Sequence, residues 1–152
     1  MPAWAFRRYL SLYAPYRGAG IRMSYLSPDF RIAEMQLRLR WSNQNAFGTH
    51  FGGSLYSMCN PIHVLMLVHI LGSGYIVWDT EGTIRFRKPG RGVVTARFEM
   101  PRETSDEIQR QADQGQVVRP EFTIQIMDEE GDVVAEVVKT LYVRKKEPQG
   151  DQ

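Results

Sequence analysis

The stretch from Phe51 to Leu71 restricts what this chain can fold into more than any other segment. Leu55, Met58, Ile62, Leu65, Met66 and Val68 recur at helical spacing, and Leu67 and Ile70 fill in between them, so almost no polar face remains. A helix that is apolar around most of its circumference has to be covered from several sides. Pro61 falls inside it. A proline there removes a backbone donor and clashes with the preceding turn, which predicts a kink or break near Asn60. The most apolar part, Pro61 to Leu71, carries two histidines and falls well short of the roughly 20 residues that a membrane-spanning helix needs. It therefore reads as the centre of a folded core.

The segments around this helix have the period of strands. Before it, Ile21 to Leu26 alternates weakly, and Ala33, Met35, Leu37, Leu39 and Trp41 alternate with Glu34, Gln36, Arg38 and Arg40. After it come Tyr75 to Trp78, a turn at Asp79-Thr80-Glu81-Gly82, and Thr83 to Lys88. Past Pro89-Gly90-Arg91-Gly92, Val94, Ala96, Phe98 and Met100 mark another strand. Val117 to Met127 and Val133 to Val143 flank Asp128-Glu129-Glu130-Gly131-Asp132 as a hairpin. Two more helices are expected. A short one at the start follows the spacing of Tyr9, Leu12 and Tyr13 and is broken by Arg17-Gly18-Ala19-Gly20. A polar outer one opens at the capping-box pattern Thr104-Ser105-Asp106-Glu107 and buries little beyond Ile108 and Ala112.

Five or six antiparallel strands with one very apolar helix after the second predict an α+β domain whose curved sheet wraps around that helix. One sheet covers such a helix incompletely and leaves strand edges open. A second copy joined edge to edge would supply both, which predicts a homodimer or a dimer of dimers. No repeat or low-complexity linker divides the chain, so residues 1–143 are expected to form a single domain and Arg144 to Gln152 a disordered tail. The 19 basic and 17 acidic residues are too balanced for phosphate-backbone binding, so nucleic acid is not an expected partner, and the short apolar run from Pro61 to Leu71 leaves no membrane partner expected. One cysteine, Cys59, and an N-terminus without a signal-peptide pattern fit a reducing, cytoplasmic setting. His63 and His69 lie off the same-face spacing of helical metal ligands, so no metal is expected, and no cofactor.

The run Asn45-Ala46-Phe47-Gly48-Thr49-His50-Phe51-Gly52-Gly53-Ser54-Leu55-Tyr56-Ser57-Met58-Cys59-Asn60 resembles the signature of the hotdog-fold acyl-CoA thioesterases, the phenylacetate-pathway type and an uncharacterised group close to it. That signature runs Asn, a Gly three residues on, His-Gly-Gly opening the central helix, and a catalytic Asp or Glu seven residues after the second Gly of the pair. Asn45, Gly48, Gly52, Gly53 and Asn60 hold those places here. Thr83 to Gly90 resembles the family's strand that ends in a basic residue and a proline, and the order of elements agrees from about Ile21 to Val143. The resemblance implies a hotdog fold, an acyl-CoA or acyl-carrier thioester as partner, and a site between subunits. Two positions depart from it. Phe51 stands where many members have His, with His50 just before it, and Asn60 stands where the carboxylate is expected.

Thioester hydrolysis needs a polarised carbonyl and an activated water or nucleophile. Gly52 and Gly53 expose backbone N–H groups at a helix start, where a developing oxyanion is favoured; the same glycines also suit close packing of a helix end. Asn60 cannot be a general base near neutral pH, but it can hold a water or a ligand carbonyl, or satisfy backbone groups at the kink. His50 is the substitute base by chemical type, with a cap or phosphate contact as the other reading. Asn45 joins these as the first residue of the motif. Phe47, Gly48, Phe51 and Tyr56 are candidate substrate contacts, and Arg87 and Lys88, with Arg85 and Arg91, could attract coenzyme A phosphates or form a solvated strand face. Three functions remain open: a thioesterase-like hydrolase, a non-catalytic acyl-thioester or fatty-acyl binding module that has lost the carboxylate, or a purely structural homo-oligomer whose helix serves assembly only.

Overall fold

The chain, described over residues 1–148 in this computed structural model, runs α1 (Ala3–Leu12), α2 (Ala14–Ala19), β1 (Ile21–Leu26), β2 (Ile32–Arg38), α3 (Gly52–Ser57), α4 (Ile62–Leu71), β3 (Tyr75–Phe86), β4 (Val93–Glu99), α5 (Arg102–Asp113), β5 (Glu121–Met127) and β6 (Val133–Lys145). All strand pairs are antiparallel, and the sheet order is β1-β2-β4-β5-β6-β3. Alternation decides which face is core: Ala33, Met35 and Leu37 on β2 and Val94, Ala96 and Phe98 on β4 are wholly buried, while the residues between them reach solvent. Across this face lies the apolar helix, broken as Pro61 predicts into α3 and α4. Leu55, Met58, Ile62, Met66 and Leu67 are each at most 2% exposed, and burial of each is worth about 1.5–3 kcal/mol. Val64, Leu65 and Ile70 are only half-buried, and Val68 is exposed. Taken as one span, Gly52–Leu71 has 20 residues with a mean hydropathy of 1.4, enough by length and composition to cross a membrane, but half of it is buried in the fold, as in a core helix.

Several expected boundaries move, most of them for a local reason and one because of a distant strand partner. The first helical region continues through Arg17 and Gly18 as α2, because Pro15 suits a first helical turn and Gly20, at φ +82°, supplies the left-handed stop. The second strand ends at Arg38, short of Trp41, because the Asn43 amide donates to the carbonyls of Arg38 and Ala19 and turns the chain away, leaving Trp41 exposed. No turn separates 75–78 from 83–88: β3 is continuous and pairs along β6, with Thr80 taken up as a bulge between Asp79 and Glu81. The outer helix starts at Arg102 behind Pro101, so Thr104 lies inside the first turn and Ser105 is buried, its hydroxyl accepting from Arg31. The fifth strand begins at Glu121, after Pro120, which has no N–H to donate; Val118 makes only an isolated bridge to Val143. The expected tail gives up Arg144 and Lys145 to β6, where they pair with Ile76 and Tyr75; residues 149–152 lie outside the described residues.

Candidate active site

The loop between β2 and α3 is shaped by Asn45. Its side-chain oxygen accepts from the N–H groups of Phe47 (2.9 Å) and Thr49 (3.0 Å), and its nitrogen donates to Thr49 Oγ1 at 2.8 Å. With both ends of the amide engaged, Asn45 braces the loop. Gly48 turns the chain at φ +73°, a conformation other residues adopt only at a cost of about 1–2 kcal/mol. The His50 N–H then donates to Gly90 O at 3.0 Å, tying the loop to the turn before β4. Gly90 packs closely there: a Cβ would stand 3.0 Å from Val134 Cγ1 and 3.1 Å from His50 Cδ2.

A cleft of about 710 Å³ opens beside this loop, lined by Phe47, Leu55 and Phe86, by Gly52, and by Arg87, Lys88 and Arg91. The N–H groups of Gly52 and Gly53 have no backbone acceptor among the described residues; those of Ser54 and Leu55 already turn back to Phe51 O. The rings of Phe86 and Phe51 lie against the bare backbone of Gly52 and Gly53, so close that a Cβ on either glycine would meet them at 2.8 and 2.7 Å. His50 also lines the cleft. Its Nε2 lies 2.9 Å from Gly92 O and so carries the proton, which leaves Nδ1 as an acceptor, buried and unpartnered. Burial holds the imidazole below its ordinary range, against the opposing pull of the Gly92 carbonyl, so the ring is neutral at pH 7.

The basic rim is weaker than its composition. Lys88 Nζ sits 2.7 Å from Asp128 and 2.9 Å from Asp132, and those hydrogen bonds raise its affinity for its proton while committing its charge to the hairpin. Arg87 is within 3.7 Å of Glu136. Arg91 has no ion pair among the described residues and reaches Gly48 O at 3.4 Å.

Asn60 and Tyr56 do not face this cleft. Both turn to Lys139 on β6, a side chain 3% exposed whose Nζ lies 2.8 Å from Asn60 Oδ1, 3.0 Å from Tyr56 Oη and 3.2 Å from Asp79 Oδ1. Gly82 on β3 makes room, because a Cβ there would collide with the Tyr56 hydroxyl. Asp79, which reads as a turn former, is thus the counter-ion of a buried ammonium. The signal for Lys139 was present in the alternation: Val137, Leu141 and Val143 are its neighbours on the inward face of β6, and a lysine in that register is misplaced unless it has partners. Gly52 and His50 thus share one cleft, and Asn60 lines another, under α1 and α2.

The remaining candidates are packing groups. His63 stacks on Phe122 with centroids 4.2 Å apart, and burial pushes its pKa down to about 4. His69 stacks on Phe30 at 4.1 Å and its Nδ1 lies 2.8 Å from Leu65 O. The Cys59 thiol is pushed up to about 12 by burial, which removes it as a nucleophile.

The family model described as "Domain of unknown function (DUF4442)" matches residues 2–143. Among solved structures, a Pseudomonas aeruginosa protein of unknown function named "Probable Thioesterase" superposes with a TM-score of 0.82 at 22% identity, covering 96% of this chain and 99% of that one. A thioesterase from Haemophilus influenzae gives 0.70 at 18% identity over 99% and 96% of the two chains. A mutant thioesterase from Pseudomonas aeruginosa gives 0.71 at 13% identity over 96% of each. No curated protein matches significantly. The chain has the thioesterase-type hotdog fold, the architecture that the Asn45 to Asn60 motif implied.

Proposed function

The chain belongs to the DUF4442 family, and from that membership, its hotdog fold and the cleft at Gly52 we propose that it hydrolyses an acyl-CoA or acyl-carrier thioester. The carrying observation is the start of α3, where two successive N–H groups have no backbone acceptor among the described residues and the Phe86 ring lies against Gly52 and the Phe51 ring against Gly53. A thioester carbonyl laid across Gly52 and Gly53 brings its oxygen to donors that stabilise the charge formed as water adds. Water attacks the carbonyl carbon, the C–S bond breaks, and the products are a carboxylic acid and a thiol. His50 accepts the water's proton at Nδ1 and returns it to the departing thiolate. Nδ1 is closed to solvent in one subunit, so this role requires the cleft to open at His50 when substrate or a second subunit binds. Arg91 and Arg87 face the phosphates of the carrier, and Phe47 and Phe86 flank the thioester.

The protein works as a cytoplasmic homodimer, or a dimer of such dimers. β3, a strand of 12 residues, pairs with β6 along one edge, has no strand on its other edge among the described residues, and carries the exposed Trp78 and Phe86. Joining two copies at that edge also covers the exposed side of α4, and light scattering that finds a monomer at working concentration would remove this part.

The test is thiol release from short, medium and long acyl-CoA, for the wild type and for Gly52→Ala, whose Cβ meets the Phe86 ring at 2.8 Å. The variant is expected to lose about 10²-fold in kcat/KM, the penalty for displacing a reacting group or losing an oxyanion donor. Absence of turnover across the panel would refute hydrolysis. The second reading, a non-catalytic acyl-thioester or fatty-acyl binder, is favoured by the amide at Asn60, and retained acyl-CoA binding without turnover would establish it.

A further inference from the structure

We infer that α1 and the adjoining end of the sheet form a docking face for an anionic bilayer surface, on which the protein lies without a spanning helix. Such docking requires nothing of the chemistry at Gly52. The helix α1 has two apolar faces. Ala3, Phe6 and Leu10 are buried, and Phe6 packs edge-on against Phe30 and His69. The outward face of a surface helix is ordinarily polar. Here Trp4, Arg8 and Leu12 follow one another on that face at i, i+4 and i+8, with Tyr9 and Tyr13 beside them. Trp4, Tyr9 and Leu12 are 67%, 62% and 66% exposed. Tryptophan and tyrosine settle at the boundary between lipid and water, where the ring is covered and the polar tip stays wet.

The charge around this face selects the occupant. The first 78 residues hold seven arginines, no lysine and only two acidic residues, Asp29 and Glu34, so the balance of the whole chain conceals a strong asymmetry. Arg7, Arg8 and Arg22 line one cleft with Ser11 and Leu12, and Arg22, Arg38 and Arg40 line the next. None of these five arginines has an ion pair among the described residues. Arg7 donates to Ser24 O at 3.2 Å and Arg22 to Gln36 Oε1 at 2.8 Å, both neutral acceptors. The two nearby acids are engaged elsewhere, Glu34 with Arg97 at 3.0 Å and Asp29 with Ser27 and the Arg31 N–H. Guanidinium groups without counter-ions, set among exposed indole and phenol rings, match a surface that is anionic outside and apolar just beneath. A second copy of the chain fits poorly, because a two-fold contact here would set these arginines against themselves. The face also adjoins β1, at the end of the sheet opposite β3, the edge proposed above for joining copies.

The experiment measures cosedimentation of the full chain with vesicles of phosphatidylcholine alone and of phosphatidylcholine with about 30% phosphatidylserine. Wild type is expected to bind the anionic vesicles at least about tenfold more tightly than the neutral ones, and to leave them as NaCl rises from about 0.05 to about 0.5 M. Each arginine near such a surface is worth about fivefold in partitioning, so joint Arg7→Gln and Arg8→Gln should lose about 25-fold. Trp4→Ser should lose about tenfold, whereas Trp4→Phe should keep most of the binding and lose the blue shift of tryptophan emission on adding vesicles. Urea unfolding checks that each variant is folded; the side chains changed are all exposed. Failure of wild type to bind anionic vesicles at low salt overturns the inference, and capture of an acidic carrier protein in their place would give the face to a protein partner. Equal binding to neutral vesicles overturns the role of the arginines. Binding unchanged by both the arginine pair and Trp4→Ser overturns the assignment to α1. Each of these results stands apart from thiol release, so the hydrolase reading can fail without it.

Discussion

Removing either member of the Lys139–Asp79 pair should destabilise the protein, and the two losses should be unequal. Asp79→Asn keeps the shape of the side chain but strands an ammonium that is 3% exposed, with only neutral acceptors around it. Stranding a buried charge costs about 3–5 kcal/mol. Lys139→Met leaves the Asp79 carboxylate behind, but that side chain is 22% exposed and water can reach it. What remains is the loss of donors to Asn60 and Tyr56, both only half-buried, for a total of about 2 kcal/mol. The double variant removes both charges and should recover part of the loss, giving a coupling energy of at least about 1 kcal/mol. Urea unfolding of the four proteins at constant pH and protein concentration measures this cycle. If Lys139→Met costs more than Asp79→Asn, or if the two losses simply add, the buried ammonium is not held by Asp79 as argued.

Burial of His63 makes stability fall in acid. Its pKa is about 4 in the fold against an ordinary 6.5, so the unfolded chain binds the extra proton first and stability present above pH 6.5 is lost as pH falls toward 4. The loss should reach about 2 kcal/mol by pH 5, and urea titrations in which His63→Phe shows the same acid loss as wild type would contradict this. Cys59 should resist iodoacetamide at pH 8 in the native protein and react in urea, because its thiol is pushed up to about 12; rapid native labelling, read by mass spectrometry, would refute its burial. Gly82→Ala drives a methyl group into the Tyr56 hydroxyl and should cost about 1–3 kcal/mol, and a thermally neutral variant would show that Tyr56 does not occupy that place.

Much of the fold was legible because it depends on local periodicity. The all-round apolar pattern from Leu55 to Ile70 demanded a central helix, and Pro61 demanded its break; both hold. The alternation of Ala33 to Leu37 and of Val94 to Phe98 assigned their faces correctly. The misjudged boundaries turned either on a distant strand partner or on a side-chain contact that residue type alone does not announce. Asp79-Thr80-Glu81-Gly82 has turn composition, yet pairing with β6 on both sides carries the strand through it as a bulge. Trp41 continues an apolar alternation, yet the Asn43 side chain ends the strand before it.

The sequence by itself determined the glycines at the helix start, the amide at position 60 and the order of elements that carries them, since each is a matter of residue type and spacing. Only the tertiary structure decided which of these groups meet. Asn60 and Lys139 are 79 residues apart and come within 2.8 Å because β3 and β6 pair in one register beneath the break between α3 and α4. A slip of one residue would turn Lys139 outward and leave Asn60 without its partner. Side-chain alternation along a strand is local and can be read, whereas the register between strands is set by the whole core at once.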